Sequence, residues 1–358
     1  MTKTIRPPTA SPESVAGGAP QVSVVVPCYN YGRFLGDCVT SLLTQDGVEV
    51  EVFIVDDAST DDSVEIATAL ADGDDRVHLL RHAEHRGHIQ TFNDALELAR
   101  AEFVVKMDAD DVVPPGALKR AVDLLTRYPE VAFVYGHPET FTTVIPAAAA
   151  SEVRSWTLWP GGEWIDRLVT RSHNVIMQPE VVMRRSAIDA VGYHRHQIPE
   201  ASDLNLWLRL ATVGSVARVN GPVQGFYRIH PASLQRTVHA GLLSDLRARV
   251  AAFELFIAEY SDALTDAPEL LRRARHTLSR DALRIAEHSL DSRQESAETV
   301  AQYLAIAAEL DPTLTQGRRW LAIQRRSTRP DRPQERLAAA IRSLQDKHTW
   351  RKWRRTGL

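Results

Sequence analysis

The sequence predicts an α/β fold in which a mostly parallel, Rossmann-like sheet is flanked by helices and followed by an all-helical C-terminal extension. Between residues 21 and 135, apolar runs typical of buried strands alternate with segments of helical periodicity. Beyond Ser233, leucine and alanine recur almost continuously at helical spacing. Acidic residues also follow directly after predicted strands, at the edge where open α/β sheets bind ligands.

The predicted elements follow one another in a regular order. Ser23 to Val26 is a β-branched run ending near a proline, and the periodic segment Phe34 to Leu43 predicts the next helix. A second strand, Val50 to Val55, leads into Ser, Thr and Asp residues that favour a helix start. The alternation continues at 77–80, 92–98 and 103–107. This pattern predicts parallel strands joined by right-handed crossovers.

Three carboxylates, Asp108, Asp110 and Asp111, stand directly after the apolar run Phe103 to Val105. Clustered acids repel one another, so they indicate a site for a hard cation or a polyol. Mg²⁺ or Mn²⁺ carrying a diphosphate fits, because such ions take one or two protein carboxylates and fill their other positions with phosphate and water. The alternative is an acidic N-terminus of the helix that Pro114 and Pro115 open.

Carboxyl ends of neighbouring parallel strands meet at one crevice, so we expect Tyr29, Asp57 and Asp108 to surround it. The motifs Val24-Val25-Val26-Pro27-Cys28-Tyr29-Asn30, Val55-Asp56-Asp57-Ala58-Ser59 and Asp108-Ala109-Asp110-Asp111 resemble family 2 glycosyltransferases of the GT-A fold. The resemblance continues in Ser202-Asp203-Leu204-Asn205-Leu206-Trp207 and in Tyr227-Arg228-Ile229-His230-Pro231. It covers roughly residues 21–235.

This resemblance implies a role for each matching residue in transferring a sugar from a nucleotide diphosphate sugar to an acceptor hydroxyl. Asp203 would be the general base of an inverting displacement, and Asp110 would hold Mn²⁺ or Mg²⁺, with His230 as a further metal contact. The remaining positions would bind the nucleotide, with UDP assumed at the family level: Pro27, Tyr29, Asn30, Asp57, Arg86 and Asp108.

Several of these assignments have structural alternatives. Asp57 is also placed to cap the helix after Ser59, and Asp203 to stabilise the N-terminus of its own helix. The family commonly has Glu-Asp where this chain has Ser202-Asp203, so Glu200 is a competing base. A second class of function is a binding or scaffold protein on a degenerate glycosyltransferase fold. It is disfavoured because such a protein would not need all four acidic residues of the motifs, Asp57, Asp108, Asp110 and Asp203.

We predict a disordered leader at 1–20, a catalytic domain at 21–235 divided into nucleotide-sugar and acceptor halves at 135/136, and a helical extension at 236–358. The leader is rich in Pro, Ala, Ser and Gly and lacks the apolar core of a signal peptide. The extension would wall the acceptor site or form a homodimer contact. The acceptor itself, whether saccharide, lipid-linked glycan or small molecule, is left open.

Charge is unevenly distributed along the chain. Residues 318–358 contain 13 Lys/Arg and 3 Asp/Glu, a balance of +10, so the preceding chain carries −14 of the total of −4. With 44% hydrophobic and 25% charged residues, the composition predicts a cytoplasmic globular protein. The basic tail, with Trp350 and Trp353, is either a solvated helix face or a peripheral contact with the inner membrane face. No nucleic-acid recognition module is predicted.

Overall fold

The computed structural model of the chain describes residues 1–7, 18–147, 152–230, 241–292, 295–327, 344–349, 351–353 and 356–357. These residues fall into two compact units. The first comprises the described residues within 1–164 and 176–231, together with Gly357. The second comprises those within 165–175 and 232–356.

The first unit is built on one large sheet and a two-stranded ribbon. Its strands, in chain order, are β1 Lys3–Ile5, β2 Gln21–Cys28, β3 Glu49–Asp56, β4 Val77–Arg81, β5 Phe103–Lys106, β6 Val131–Tyr135, β7 Pro138–Phe141, β8 Ser155–Trp159, β9 Val182–Arg184, β10 Ser215–Asn220 and β11 Gly225–Arg228. Strands β7 and β11 form the ribbon, in parallel.

Within the described residues, the large sheet has the order β1-β8-β10-β6-β9-β5-β2-β3-β4. Strands β8 and β9 pair antiparallel with both of their neighbours, and the pairs among the remaining strands are parallel. The prediction of an α/β, mostly parallel sheet is therefore confirmed. The two reversed strands were not predicted, because β9 is only three residues long and β8 follows an irregular stretch.

Helices cover both faces of this sheet. They are α1 Gly32–Leu43, α2 Ser63–Gly73, α3 His88–Leu98, α4 Ala117–Arg127, α6 Arg185–Val191 and α7 Ser202–Val213. Helix α5, Gly161–Arg171, begins in the first unit and ends in the second. Apolar residues of α1, α2 and α4 join one core with alternate residues of β2 and β5. Because side chains alternate along a strand, the intervening residues of β5 face the other side, towards α3.

The start of the segment predicted to be a disordered leader forms a β-strand in the structure. Lys3–Ile5 pairs antiparallel with Trp156–Leu158 of β8. Edge pairing supplies the backbone hydrogen bonds that a composition-based prediction of disorder does not consider. Residues 8–17 of the predicted leader lie outside the described residues.

The second unit is helical. Beyond the end of α5 it contains α8 Leu242–Glu259, α9 Ala267–Ser292, α10 Ala297–Leu310 and α11 Arg318–Ser327. The helical C-terminal extension is therefore confirmed. Among the described residues, no helix is both long and apolar enough to cross a bilayer.

Candidate active site

Three parallel strands bring the sequence motifs to one edge of the sheet. Cys28 at the end of β2 lies opposite Asp56 at the end of β3, and Lys106 at the end of β5 lies opposite Val25 of β2. Tyr29, Asp57 and Asp108 therefore follow three adjacent strands at one edge of the sheet.

The loop after β3 is organised by the buried carboxylate of Asp57. Its Oδ1 accepts a hydrogen bond from the Arg86 backbone N–H at 2.8 Å and lies 2.8 Å from His82 Nδ1. Its Oδ2 accepts from the Gly87 N–H at 2.9 Å and lies 2.9 Å from His85 Nδ1. Burial opposes ionisation, but these donors outweigh it and lower the pKa of Asp57. Asp57 thus fixes the loop 82–87.

Among the residues predicted to bind the nucleotide, Tyr29 contacts this loop and Arg86 is part of it. Tyr29 is 40% exposed, and its ring lies 4.1 Å from the His85 ring, centroid to centroid. The Asn30 side chain accepts a hydrogen bond from the Thr60 N–H at 2.7 Å, so it joins two loops of the site. Arg86 directs its guanidinium to Asp94 at 2.6 Å. Pro27 lies within β2 and is partly buried.

The acids after β5 are held against β11. Asp110 Oδ2 lies 2.9 Å from His230 Nε2. The Arg228 backbone N–H donates to Asp111 Oδ1 at 2.8 Å, and the Arg228 Nε donates to the Asp110 carbonyl at 2.7 Å. Val112 bridges to Phe226, which brings the end of the ribbon beside the acidic loop. Residues 231–233 of the same motif lie outside the described residues.

These carboxylates resist ionising together. Burial raises the pKa of Asp108 to about 7, the Lys106 ammonium opposes that shift, and the charges of Asp110 and Asp203 add to it. Burial also raises the pKa of Asp110, against the opposing effect of His230, and raises that of Asp111 strongly. A cation bound here would relieve this repulsion.

The side chains at the acidic loop suit a divalent metal ion that is bound together with a ligand. Among the described residues, no group of three or more His, Cys, Asp or Glu side chains is arranged to hold a metal ion by itself. Asp110 and His230 provide two donors in contact with each other. Mg²⁺ and Mn²⁺ commonly take one or two protein ligands and complete their coordination with phosphate oxygens and water, so the pair is compatible with a metal diphosphate.

Asp203 is the second residue of α7, where the helix dipole favours a carboxylate. Its Oδ1 accepts a hydrogen bond from Lys106 Nζ at 2.6 Å and lies 3.8 Å from His194 Nδ1. Burial opposes ionisation, yet the charge of Lys106 lowers the pKa of Asp203 to about 2. The side chain remains 31% exposed. Glu200 is more exposed, in a short 3₁₀ turn before α7.

Residues 23–192 match the family model described as Glycosyl transferase family 2. The uncharacterized protein MT1568 of Mycobacterium tuberculosis is 31% identical over 243 residues, which cover 63% of this chain and 72% of that protein. The chain belongs to glycosyltransferase family 2.

Other relatives match the glycosyltransferase over a shorter stretch or by fold. Glycosyltransferase GlyG of Streptococcus pneumoniae is 40% identical over 92 residues, which are 26% of this chain and 31% of that protein. The crystal structure of Staphylococcus aureus TarS 1–349 with UDP-GlcNAc aligns with a TM-score of 0.60 and 17% identity, covering 94% of this chain and 92% of that one. The mannosyltransferase PcManGT of Pyrobaculum calidifontis, in complex with GDP-Man and Mn²⁺, aligns at 0.50 with 22% identity, covering 94% and 91%. These alignments confirm the GT-A fold.

Sequence reasoning missed four side chains of the candidate site: His82 and His85 on Asp57, and Lys106 and His194 beside Asp203. A signal for Lys106 was present, because a lysine at the end of an apolar strand requires a buried partner. His82 and His85 lie in the loop before α3, and their spacing in the sequence does not indicate that they meet Asp57.

Proposed function

We propose that this glycosyltransferase moves a sugar from a nucleoside diphosphate sugar to an acceptor hydroxyl, with a divalent metal and with inversion at the anomeric carbon. One observation carries the proposal. A pair of groups suited to a metal and a carboxylate suited to a base both adjoin the end of β5, through Asp110 and His230 on one side and Lys106 and Asp203 on the other.

The diphosphate end of the donor would lie at the acidic loop. Asp110 and His230 would hold Mn²⁺ or Mg²⁺, and Asp108 would contact the ribose. A metal bound there would neutralise charge on the departing diphosphate. The raised pKa values of Asp108 and Asp110 support this assignment, because bound positive charge makes their ionised forms favourable.

The nucleobase would lie on the exposed face of Tyr29, with Pro27 and Asn30 beside it. The loop fixed by Asp57 would form the other wall, with Arg86 close to the nucleotide. Since four donors already occupy the Asp57 carboxylate, its contribution would be to hold that wall. UDP is the nucleotide to test first. The neighbours solved with UDP-GlcNAc and with GDP-Man and Mn²⁺ support a nucleotide-sugar donor.

Asp203 would act as the general base. An acceptor oxygen would attack the anomeric carbon as the bond from that carbon to the phosphate oxygen breaks. The acceptor proton would pass to Asp203, and the bonding electron pair would leave with the nucleoside diphosphate. Two observations support Asp203 over Glu200: it is ionised at any ordinary pH, and it is held in one place by Lys106.

The proposal is tested by screening UDP, dTDP and GDP for thermal stabilisation of the protein in the presence and absence of Mn²⁺. A ligand at about 100 times its dissociation constant adds roughly 2.7 kcal/mol to stability. We expect one diphosphate to stabilise the protein strongly with Mn²⁺ and weakly without it. Equal effects in EDTA would remove the metal from the proposal, and no effect from any nucleotide would remove the donor class.

A further inference from the structure

We propose that Lys106 is a positioning residue for Asp203: its ammonium holds Oδ1 of the carboxylate and leaves Oδ2 directed to the acceptor. The proposal rests on the proposed role of Asp203 as the base. Lys106 would thus have a functional role, unlike its neighbours in β5. It would hold the carboxylate of Asp203 in place in the first turn of α7.

The location of Lys106 is unusual for its residue type. It ends the strand Phe103–Lys106, in which every residue is buried, and it is itself 1% exposed. Phe103 and Val105 enter the main apolar core, so Lys106 points to the opposite face of the sheet. Burying an ammonium costs several kcal/mol unless it is paired, so a lysine here requires its carboxylate partner.

The ring of Phe92 fixes the direction of the ammonium. Lys106 Nζ lies 3.8 Å from the Phe92 ring centroid and 2.6 Å from Asp203 Oδ1. His194 stacks on the same ring at 5.7 Å, and His88 meets it edge-on at 4.5 Å. Phe92 is fully buried, so the ammonium has little freedom to move away from Asp203.

His194 lies beside the same carboxylate oxygen, 3.8 Å away and without a hydrogen bond to it. Its ring is completely buried and has no hydrogen-bond partner on either nitrogen among the described residues. Burial, followed by the charge of Lys106, lowers the pKa of His194 well below its usual value, so the ring is neutral. The groups that influence the ionisation of Asp203 are thus Lys106 from β5, His88 from α3 and the Asp108 carboxylate, together with His194 from the loop before α7.

The two oxygens of Asp203 therefore differ. Oδ1 takes the hydrogen bond from Lys106, whereas no hydrogen bond to Oδ2 is found in the described part of the chain. Burial by itself would raise the pKa of Asp203, and Lys106 is the largest influence that reverses this. Lys106 thereby keeps the carboxylate charged and fixed, at the expense of its intrinsic strength as a base.

The first measurement needs no change at Lys106. Carbon-13 NMR of protein labelled at aspartate carboxyls, compared with Asp203→Asn to assign the signal, gives the titration of Asp203 in the metal-free protein. We expect a midpoint near 2, as the ion pair requires. A midpoint near the ordinary aspartate value of about 3.9 would show that the pair does not form in solution and would overturn the proposal.

The second measurement uses Lys106→Met, which keeps an unbranched side chain one atom shorter and removes the charge, with Lys106→Gln as a second neutral variant. We expect the Asp203 midpoint to rise by more than one pH unit and kcat to fall by about 10- to 100-fold with little change in the donor KM. A new acid limb should appear in the pH profile of kcat/KM. Lys106→Arg should restore the low midpoint, because it keeps the charge.

Lys119→Met is the matched control, because Lys119 pairs with Asp123 on the surface of α4. It should leave both the titration and kcat unchanged. If Asp203→Asn transfers sugar normally, the proposed base is wrong whatever Lys106 does. If Asp203→Asn is inactive while Lys106→Met keeps the wild-type pH profile and kcat, only the positioning role is wrong.

Discussion

His230 Nε2 lies 2.9 Å from Asp110 Oδ2, although 120 positions separate the two residues in the chain. The contact depends on the ribbon of β7 and β11, which brings residue 230 beside the loop that follows β5. A histidine next to a buried carboxylate of raised pKa is an arrangement that suits a divalent cation. The metal assignment therefore depends on tertiary structure as well as on the acidic motif.

Asp110→Ala tests this assignment directly. We expect the variant to fold and to lose the Mn²⁺-dependent part of nucleotide affinity, at least about tenfold or 1.4 kcal/mol, because a metal ligand has been removed. His230→Gln should give a smaller loss. Isothermal titration calorimetry with and without Mn²⁺ measures both. Asp123→Asn, on the surface of α4, is the control, and unchanged metal dependence in Asp110→Ala would refute the assignment.

Replacing Asp203 should separate catalysis from binding. Asp203→Asn should bind donor with near-normal affinity but lose about 10²- to 10⁴-fold in turnover, since an amide cannot accept the acceptor proton. Glu200→Gln is the matched control and should transfer sugar normally. The reverse outcome, with a normal Asp203→Asn and an inactive Glu200→Gln, would make Glu200 the base.

The presence of a hydrogen-bond acceptor at position 203 should also affect the stability of the protein. Asp203→Asn retains an oxygen that accepts a hydrogen bond from Lys106, whereas Asp203→Ala leaves a buried ammonium without it. We expect Asp203→Ala to unfold with a free energy lower by about 1–3 kcal/mol than Asp203→Asn. Urea denaturation followed by circular dichroism measures the difference. Equal stabilities would show that Lys106 finds another acceptor or reaches water.

Stability should depend on pH through Asp203. Its pKa of about 2 in the folded protein lies below the unfolded value of about 3.9, so ionised Asp203 stabilises the fold above roughly pH 5. That contribution is lost as the pH falls towards 2. The stability advantage of the wild type over Asp203→Asn should therefore shrink between pH 6 and pH 3. An advantage that stays constant over that range would contradict the lowered pKa.

Asp57→Ala should loosen the loop 82–87, because the N–H groups of Arg86 and Gly87 lose their acceptor. Hydrogen exchange of that loop should quicken, and nucleotide affinity should fall about tenfold or more. Asp74→Ala removes a partly exposed aspartate that pairs with the nearby Arg76, and it is the control. Unaltered exchange in Asp57→Ala would show that the loop is held by other contacts.

The basic tail gives a prediction about packing. The Trp353 ring lies 4.7 Å from the Arg171 guanidinium carbon and 5.7 Å from the His173 ring, within the second unit. Trp353→Ala should therefore lower stability by about 1–2 kcal/mol through lost burial and a lost cation–π contact. Sedimentation of wild type, but not Trp353→Ala, with anionic vesicles at low salt would instead support the membrane contact. Trp350 lies outside the described residues.

Features that short segments encode can be predicted from the sequence, whereas features that depend on contacts between distant segments cannot. Strands β2, β3 and β5 and the acids after them are encoded in short segments, so their positions at one sheet edge follow from local pattern and parallel topology. The antiparallel insertion of β9 between β5 and β6 carries no comparable local signal, because three residues cannot establish a period. The fold class was therefore predictable, whereas the strand order was not.

The site divides in the same way. Resemblance to a family assigned Asp110, His230 and Asp203 without showing how they are supported. Lys106 and Asp203 are 97 positions apart, and neither residue alone indicates the other. His194 reaches the pair from a loop with no sequence motif. Such supporting contacts depend on how α3 and α7 cover one face of the sheet, which no short segment of the chain encodes.

The anomeric configuration of the product tests the central claim most directly. Proton NMR of the first turnovers, with the nucleotide sugar that the stabilisation screen identifies, distinguishes the two anomers of the transferred sugar. We predict a product of configuration opposite to the donor, and none above background with Asp203→Asn. A product that retains the donor configuration would contradict direct displacement with Asp203 as the base.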